Sequence, residues 1–249
     1  MCTLALYRAA LAGIPLLVAA NRDEFYARAS RDPAEFEELP GVVGGRDLVA
    51  GGSWLTLSRN GLIVGILNRR TDRPPDPKLV SRGALCLELA ATASAAEAAE
   101  LLRAVPGTRH NPFNILVADA KGAYVAQNFP DGTSVRALEA GTHVLTNLDL
   151  NDPTCPRIFR SSRRFAAIAE EFDAATSRED LVARLAEVLS DHQLPTDDRR
   201  PTDQLCIHTE GYGTRSSSIL WLEADGTQRY LHAAGPPCRT PHREVALPW

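Results

Sequence analysis

The sequence lacks any apolar run of the roughly 18 residues that a membrane-spanning helix requires. The nearest approach is the stretch from Ala9 to Ala20, which follows Arg8 and resembles a short secretory signal. Gly13-Ile14-Pro15 interrupts this stretch as a turn would, so we predict a strand, a turn and a second strand instead. We therefore expect no transmembrane segment.

Cysteines at metal-binding or haem-binding spacing are also missing. The five cysteines are odd in number and widely spread, and no two of them form a CxxC pair. This pattern argues against a disulfide framework, a structural zinc site and covalent haem attachment, and it favours a reducing, cytoplasmic location. The pair Cys206-x-His208 is by itself a weak metal pattern, so we expect no metal.

The sequence also lacks a large excess of positive or negative charge. The 27 Lys and Arg residues face 31 Asp and Glu residues, and the basic residues form no block, so we expect no nucleic-acid partner. The segment Gly211 to Arg215 is rich in glycine but lacks the Lys-Ser/Thr of a phosphate-binding loop. The composition thus excludes nucleic-acid binding and gives no support to nucleotide binding.

Short apolar runs separated by turn residues dominate the rest of the chain. Pairs of such runs predict local hairpins and hence antiparallel sheet: residues 3–8 with 15–20, 53–58 with 62–67 around Asn60-Gly61, 113–118 with 123–127, and 219–222 with 228–232. A capping box from Ser94 to Glu97 predicts a helix over 94–102, and helical spacing predicts helices over 158–172 and 181–189. We expect one α+β domain over residues 1–249, with two antiparallel sheets covered by helices.

Cys2 is the sharpest chemical feature of the sequence. A methionine before a small residue is normally removed, and this would leave Cys2 with both a thiol and a free α-amine. The α-amine has an ordinary pKa of about 7.7–8.0, which suits a general base near neutral pH. One residue could then be both nucleophile and base. The alternative is that Cys2 simply begins a buried strand.

Polar residues follow several of the predicted strands. Asn21-Arg22-Asp23-Glu24 follows the run 15–20, where a carboxylate could hold the α-amine and a guanidinium could favour a thiolate. Asn68 ends one predicted strand and Asn147 another, and both amides could bind an oxyanion. Residues 21–24 could instead form a simple turn. Polar residues that recur at strand ends in this way, however, usually converge on a site.

These motifs resemble those of the NRDE family, also called the transport-and-Golgi-organization-two family. The resemblance runs from residue 1 to about 230. It rests on these blocks, in the order of that family: Met1-Cys2, 21–24, Gly51-Gly52-x-Trp54-Leu55, Ser81-Arg82-Gly83, Phe113-Asn114, Ala118-Asp119, Leu145-Thr146-Asn147 and 211–215. It implies the four-layer αββα sandwich of N-terminal-nucleophile (Ntn) hydrolases.

A second resemblance, to the choloylglycine and penicillin V hydrolases, implies a mechanism. Residues 60–68 are similar to a strand that ends in an active-site asparagine there, and 145–147 to a strand whose asparagine binds the oxyanion. The resemblance implies a hydrolase of non-peptide linear amides with no required cofactor. Its expected site residues are Cys2, Arg22, Asp23, Asn68, Asn147 and Arg215. Those enzymes place an arginine three residues before the aspartate, whereas here Ala20 stands there and Arg22 is adjacent.

The NRDE resemblance also implies an alternative without catalysis. Members of that family are implicated in haem trafficking and in lipid or acyl-CoA homeostasis, so haem is a possible ligand. The candidate imidazole ligands are His143, His208 and His232, and the Cys2 thiolate could also bind iron. The expected partner is therefore a small-molecule amide or haem.

Overall fold

The structure is a computed structural model that describes residues 2–72, 74–173, 175–193 and 200–249. Met1, and with it the predicted removal of that residue, lies outside the described part. The chain divides into two compact units, the first comprising residues 1–27 and 140–245 and the second residues 28–139 and 246–249. Each unit carries one antiparallel sheet and two helices. That residues 1–249 act as one domain stays a prediction.

The first unit contains a six-stranded sheet whose strands all pair antiparallel. The spatial order is β10–β1–β2–β11–β12–β13. The strands are β1 (Thr3–Leu11), β2 (Ile14–Phe25), β10 (Gly141–Leu145), β11 (Tyr212–Leu222), β12 (Gln228–Ala233) and β13 (Arg243–Glu244). The β1–β2 hairpin forms because Gly13 adopts a φ of 76°, which glycine accepts without a steric penalty.

Two helices, α3 (Pro156–Glu171) and α4 (Arg178–Leu189), cover one face of this sheet. The side chain of Ser177 caps α4 by accepting from the Asp180 N–H at 3.0 Å. Because strand residues alternate between faces, it is the odd-numbered residues of β1 and β2 that pack on the helices, with Tyr7 and Leu17 fully buried there. The Tyr7 hydroxyl also donates to the Phe165 carbonyl of α3 at 2.9 Å.

The second unit contains a seven-stranded antiparallel sheet in the sequential order β3 to β9. Its strands are β3 (Ser30–Phe36), β4 (Leu39–Asp47), β5 (Leu55–Ser58), β6 (Ile63–Asn68), β7 (Phe113–Ala118), β8 (Ala123–Phe129) and β9 (Gly132–Ala137). Helices α1 (Arg82–Ala90) and α2 (Ala95–Ala104) pack on it through small and branched side chains. Gly52 lies so close to α1 that a Cβ atom there would come within 2.1 Å of the Gly83 carbonyl carbon.

The expected fold class is confirmed: the chain is α+β, with two antiparallel sheets and helices on each. The Ser94 cap of α2 is also confirmed, since its hydroxyl accepts from the Glu97 N–H at 3.2 Å, although the Glu97 carboxylate returns to Ala93. No helix among the described residues is both long and apolar enough to span a membrane.

Three local features were not predicted from the sequence. Residues 21–24 lie inside β2, so the alternative of a simple turn does not hold, because β11 continues the ladder as far as Phe25. The Asn60-Gly61 turn has a positive φ only at Gly61, since the Asn60 side chain instead donates to the carbonyls of Thr92 and Ala93. Helix α1 was missed, because a glycine in its first turn weakens the helical signal.

Candidate active site

Cys2 lies one residue before β1 and is half-buried. Its thiol donates to the backbone carbonyl of Asp23 in the neighbouring strand, with an Sγ–O distance of 3.9 Å. Burial raises the pKa of this thiol above its ordinary value of 9.0, and the Asp23 carboxyl raises it further while Arg22 opposes the shift. The resting side chain is therefore a neutral thiol, which needs a base before it can attack a carbonyl.

The strand register aligns Arg22, another predicted site residue, with Cys2. In β1 and β2 the last pair is Thr3 with Asn21, so the next position sets Cys2 beside Arg22. In β1 and β10 the last pair is Leu4 with Leu145, and the buried Asn147 lies two residues beyond the end of β10. Cross-strand neighbours present their side chains on the same face of a sheet. Cys2 and Arg22 thus form a row at the ends of β1 and β2, and Asn147 follows the end of β10 on the other side of β1.

This row extends to β11. Ser216 of β11 pairs directly with Arg22 and is 7% exposed. The row lies on the even-numbered face of β1 and β2, opposite the face that α3 and α4 cover. Ser216 was missed in the sequence because a β-bulge between Thr214 and Ser216 shifts the alternation by one residue.

Asp23 lies on the helix-covered face, where its carboxylate is fully buried between two partners. Its Oδ2 accepts from Arg157 Nη1 at 3.1 Å, and its Oδ1 accepts from the Thr214 hydroxyl at 2.6 Å. Burial raises the pKa of the Asp23 carboxyl, and the Arg157 guanidinium opposes this shift. The predicted role of Asp23, to hold the α-amine, stays a prediction.

Arg157 was not predicted as a site residue from the sequence, yet it links several segments at the end of the sheet that carries Cys2 and Arg22. From α3 its Nη1 also donates to the Thr3 hydroxyl at 3.2 Å, and its Nε donates to the Thr202 carbonyl at 3.0 Å. Asn21 acts in a similar way, because its side-chain amide donates to the carbonyls of Leu189 and Leu205 at 2.8 and 2.9 Å. These contacts fix the strand ends from which Cys2 and Arg22 project.

The two remaining predicted site residues lie elsewhere. Arg215 lies at the β11 bulge, where its guanidinium donates to the Tyr26 carbonyl. Asn68 is the last residue of β6 in the second unit, where it pairs with Phe113 and is exposed. Within that unit, β6 therefore ends in an asparagine as the choloylglycine resemblance implied.

The three candidate haem ligands occupy separate places in the first unit. His143 lies on β10, with Nδ1 3.1 Å from the Asn151 side-chain amide. His232 lies on β12, buried, with Nδ1 2.9 Å from the Ser218 hydroxyl. His208 precedes β11, with Nε2 3.2 Å from the Cys238 sulfur. The three rings have different partners and do not form one binding site.

Several solved structures have folds similar to that of this chain. A variant of conjugated bile acid hydrolase from Clostridium perfringens has a TM-score of 0.61 at 12% identity, covering 99% of this chain and 98% of its own. An N-acylethanolamine-hydrolyzing acid amidase ortholog from Caenorhabditis elegans has a TM-score of 0.58 at 14% identity, covering 88% and 92%. The fold is that of the Ntn-hydrolase class.

The sequence comparison identifies the particular family. The model of the family described as Transport and Golgi organisation 2 matches residues 1–233. A similar relative is the human Transport and Golgi organization protein 2 homolog, which is 28% identical over 237 residues, covering 85% of this chain and 83% of the relative. The chain belongs to the Transport and Golgi organisation 2 family, as its motifs indicated.

Proposed function

We propose that this chain is an Ntn-type cysteine hydrolase that cleaves linear amide bonds other than peptide bonds, with Cys2 as its N-terminal nucleophile. The observation that carries the proposal is the position of Cys2 beside Arg22, at the end of β1 and β2 that Arg157 holds in place. In this proposal Asn147, which follows β10 on the other side of β1, supplies the amide donor. Nucleophilic amide cleavage uses a thiol nucleophile and a donor to the oxyanion.

The reaction follows from these positions. Removal of Met1 leaves an α-amine on Cys2, which takes the thiol proton as sulfur attacks the carbonyl carbon. The Asn147 amide donates to the oxyanion that forms. The α-amine returns the proton to the leaving amine, and a thioester forms. Water then attacks this thioester with the α-amine as base, which releases a carboxylic acid and restores the thiol.

The raised pKa of Cys2 favours activation by a base over a thiolate formed in advance. In this mechanism Arg22 stabilises negative charge as it develops on the sulfur rather than maintaining a resting thiolate. Arg215, whose guanidinium is engaged by the Tyr26 carbonyl, would support the β11 bulge beside the row. The mechanism needs no cofactor.

The names of the similar structures support the substrate class. One is called an N-acylethanolamine-hydrolyzing acid amidase, another a conjugated bile acid hydrolase, and a third, from Agrobacterium tumefaciens, a penicillin V acylase. Each name denotes removal of an acyl or conjugated group from a small molecule. We therefore propose a small acylated amine as the substrate, in a cytoplasmic location that the five free cysteines support.

The test is turnover of a panel of N-acyl amides, measured as release of the primary amine. Wild-type protein should release amine from at least one member, and Cys2→Ala should lose the activity completely. Cys155→Ser is the matched control, because Cys155 is buried before α3 and takes no part in the mechanism. Equal activity in Cys2→Ala and wild type would exclude Cys2 as the nucleophile.

Haem carriage without catalysis is the alternative, with acyl-CoA or lipid homeostasis as its broader form. The separate partners of His143, His208 and His232 give it no comparable support. Its test is a Soret shift when micromolar haem is added to the purified protein. A shift that Cys2→Ala abolishes would favour thiolate ligation of iron, whereas an unchanged spectrum would exclude haem carriage.

A further inference from the structure

Four metal-ligating side chains converge in the first unit, away from the row that contains Cys2. They are His192 after α4, Cys206 and His208 before β11, and Cys238 in a turn after β12. One ligand atom from each lies within 4.8 Å of all the others. We call these four residues the Cys2His2 cluster. The sequence pattern gave only the Cys206-x-His208 pair.

The distances among the Cys206, His208 and Cys238 ligand atoms are close to those between the ligands of one ion. Cys206 Sγ lies 3.7 Å from Cys238 Sγ, and His208 Nε2 lies 3.2 Å from Cys238 Sγ and 3.8 Å from Cys206 Sγ. With Zn–S near 2.3 Å and Zn–N near 2.0 Å, a tetrahedral site separates its two sulfurs by about 3.8 Å and a sulfur from a nitrogen by about 3.5 Å. A disulfide would require the sulfurs to be about 2.0 Å apart.

Hydrogen bonds outside the cluster orient its members. His192 Nδ1 lies 2.8 Å from the Cys206 carbonyl oxygen, a contact that leaves Nε2 of the same ring as the nitrogen to bind an ion. Metal-binding histidines typically make such a bond with the ring nitrogen that does not bind the ion. The Cys206 N–H donates to the Asp191 carbonyl at 3.0 Å, and the turn that carries Cys238 is closed by bonds to the Pro236 carbonyl. The backbone itself therefore sets the four positions.

We propose that His192, Cys206, His208 and Cys238 bind one Zn²⁺ as a structural site in which the protein supplies all four ligands. Two thiolates and two imidazoles are soft and borderline donors that favour zinc over magnesium or calcium. On binding, the two thiols release their protons to solvent, and no electron is transferred. The site goes beyond the hydrolase proposal and stands or falls independently of it.

The expected role of the ion is to tie three chain segments to the sheet end that carries Asp23. The Ile207 N–H, between two of the ligands, donates to the Thr214 hydroxyl at 2.9 Å. That hydroxyl in turn donates to Asp23 Oδ1 at 2.6 Å. Zinc at the Cys2His2 cluster would thus fix one of the two partners of the Asp23 carboxylate.

The test begins with the metal content of the full-length chain, purified without a histidine tag under reducing conditions and measured by mass spectrometry of the metals. We expect about one zinc ion per chain in wild type and less than about a tenth of that in Cys238→Ser. Cys155→Ser is the matched control and should retain the full zinc content, because Cys155 lies outside the cluster.

Cobalt replacement gives a second readout that needs no variant to fold. Wild-type protein stripped of metal, reduced and titrated with Co²⁺ should develop the strong visible bands of a tetrahedral ion and a sulfur-to-cobalt charge-transfer band, and added Zn²⁺ should abolish both. Absence of these bands would overturn the proposal. So would zinc content in Cys238→Ser equal to that of wild type, or a Cys206–Cys238 disulfide in protein purified under reducing conditions with zinc present.

Discussion

Replacement of Arg157 by methionine should strongly destabilise the protein. The Arg157 and Asp23 side chains are 3% and 0% exposed, and their charges meet at 3.1 Å. The substitution removes the guanidinium from the buried Asp23 carboxylate, together with the bonds that Arg157 donates to Thr3 and Thr202. Loss of one partner from a buried ion pair costs about 3–5 kcal/mol. We expect a loss in that range.

The assay is urea unfolding at neutral pH, followed by circular dichroism. The decisive comparison is the double variant Asp23→Asn/Arg157→Met, which removes both charges of the pair. Burial raises the pKa of the Asp23 carboxyl and Arg157 opposes this shift, so the carboxylate is costly to bury without the guanidinium. The single variant Arg157→Met should therefore be less stable than the double variant, by at least about 1 kcal/mol. The exposed Arg163 of α3 supplies the control, since Arg163→Met should change stability by less than about 0.5 kcal/mol.

Two results would contradict the prediction for Arg157→Met. A cost below about 1 kcal/mol for Arg157→Met would mean that the pair is solvated or not formed in solution. Additive losses in the double variant would mean that the two charges do not interact. Either result would remove the support proposed for the strand ends beside Cys2.

Two further predictions concern pH and close packing. Burial, with a contribution from His232, lowers the pKa of His242 from 6.5 to about 4, so the unfolded chain gains a proton on acidification that the folded chain does not. Stability should therefore fall from about pH 7 to about pH 5, and His242→Asn should remove about 2 kcal/mol of that fall. Urea midpoints that change equally with pH in the variant and in wild type would contradict this prediction. Gly52→Ala should cost about 1–3 kcal/mol because the new methyl would meet the backbone of α1, whereas Gly211→Ala, where nothing lies within 4 Å of the new Cβ, should cost much less; equal thermal midpoints would contradict this.

The parts of the fold that could be predicted are those that depend on near neighbours in the chain. The β1–β2 hairpin and the Ser94 cap were read from a few adjacent residues, because turn geometry and capping are local. Cys2 and Arg22 were found by chemistry and by family resemblance, and the register of β1 with β2 sets them side by side.

The residues that were missed act across long separations. Arg157 is 134 residues from Asp23, and Cys238 is 32 residues from Cys206. No periodicity links such positions, because their proximity is set by how α3 and the turn after β12 pack on the sheet. The motif at residues 21–24 was expected only at the end of a strand, with a simple turn as the alternative, for a related reason: pairing with the distant β11 keeps these four polar residues extended.

The most direct test of the hydrolase proposal is the intact mass of the purified, untagged protein, followed by mapping of an acyl adduct from an electrophilic N-acyl probe. We predict that Met1 is absent and that a single acyl group is found on Cys2, the residue that supplies both the nucleophile and its base. Retention of Met1 would contradict it, because the α-amine could not then serve as the base. An adduct on another cysteine with Cys2 unmodified would contradict it as well.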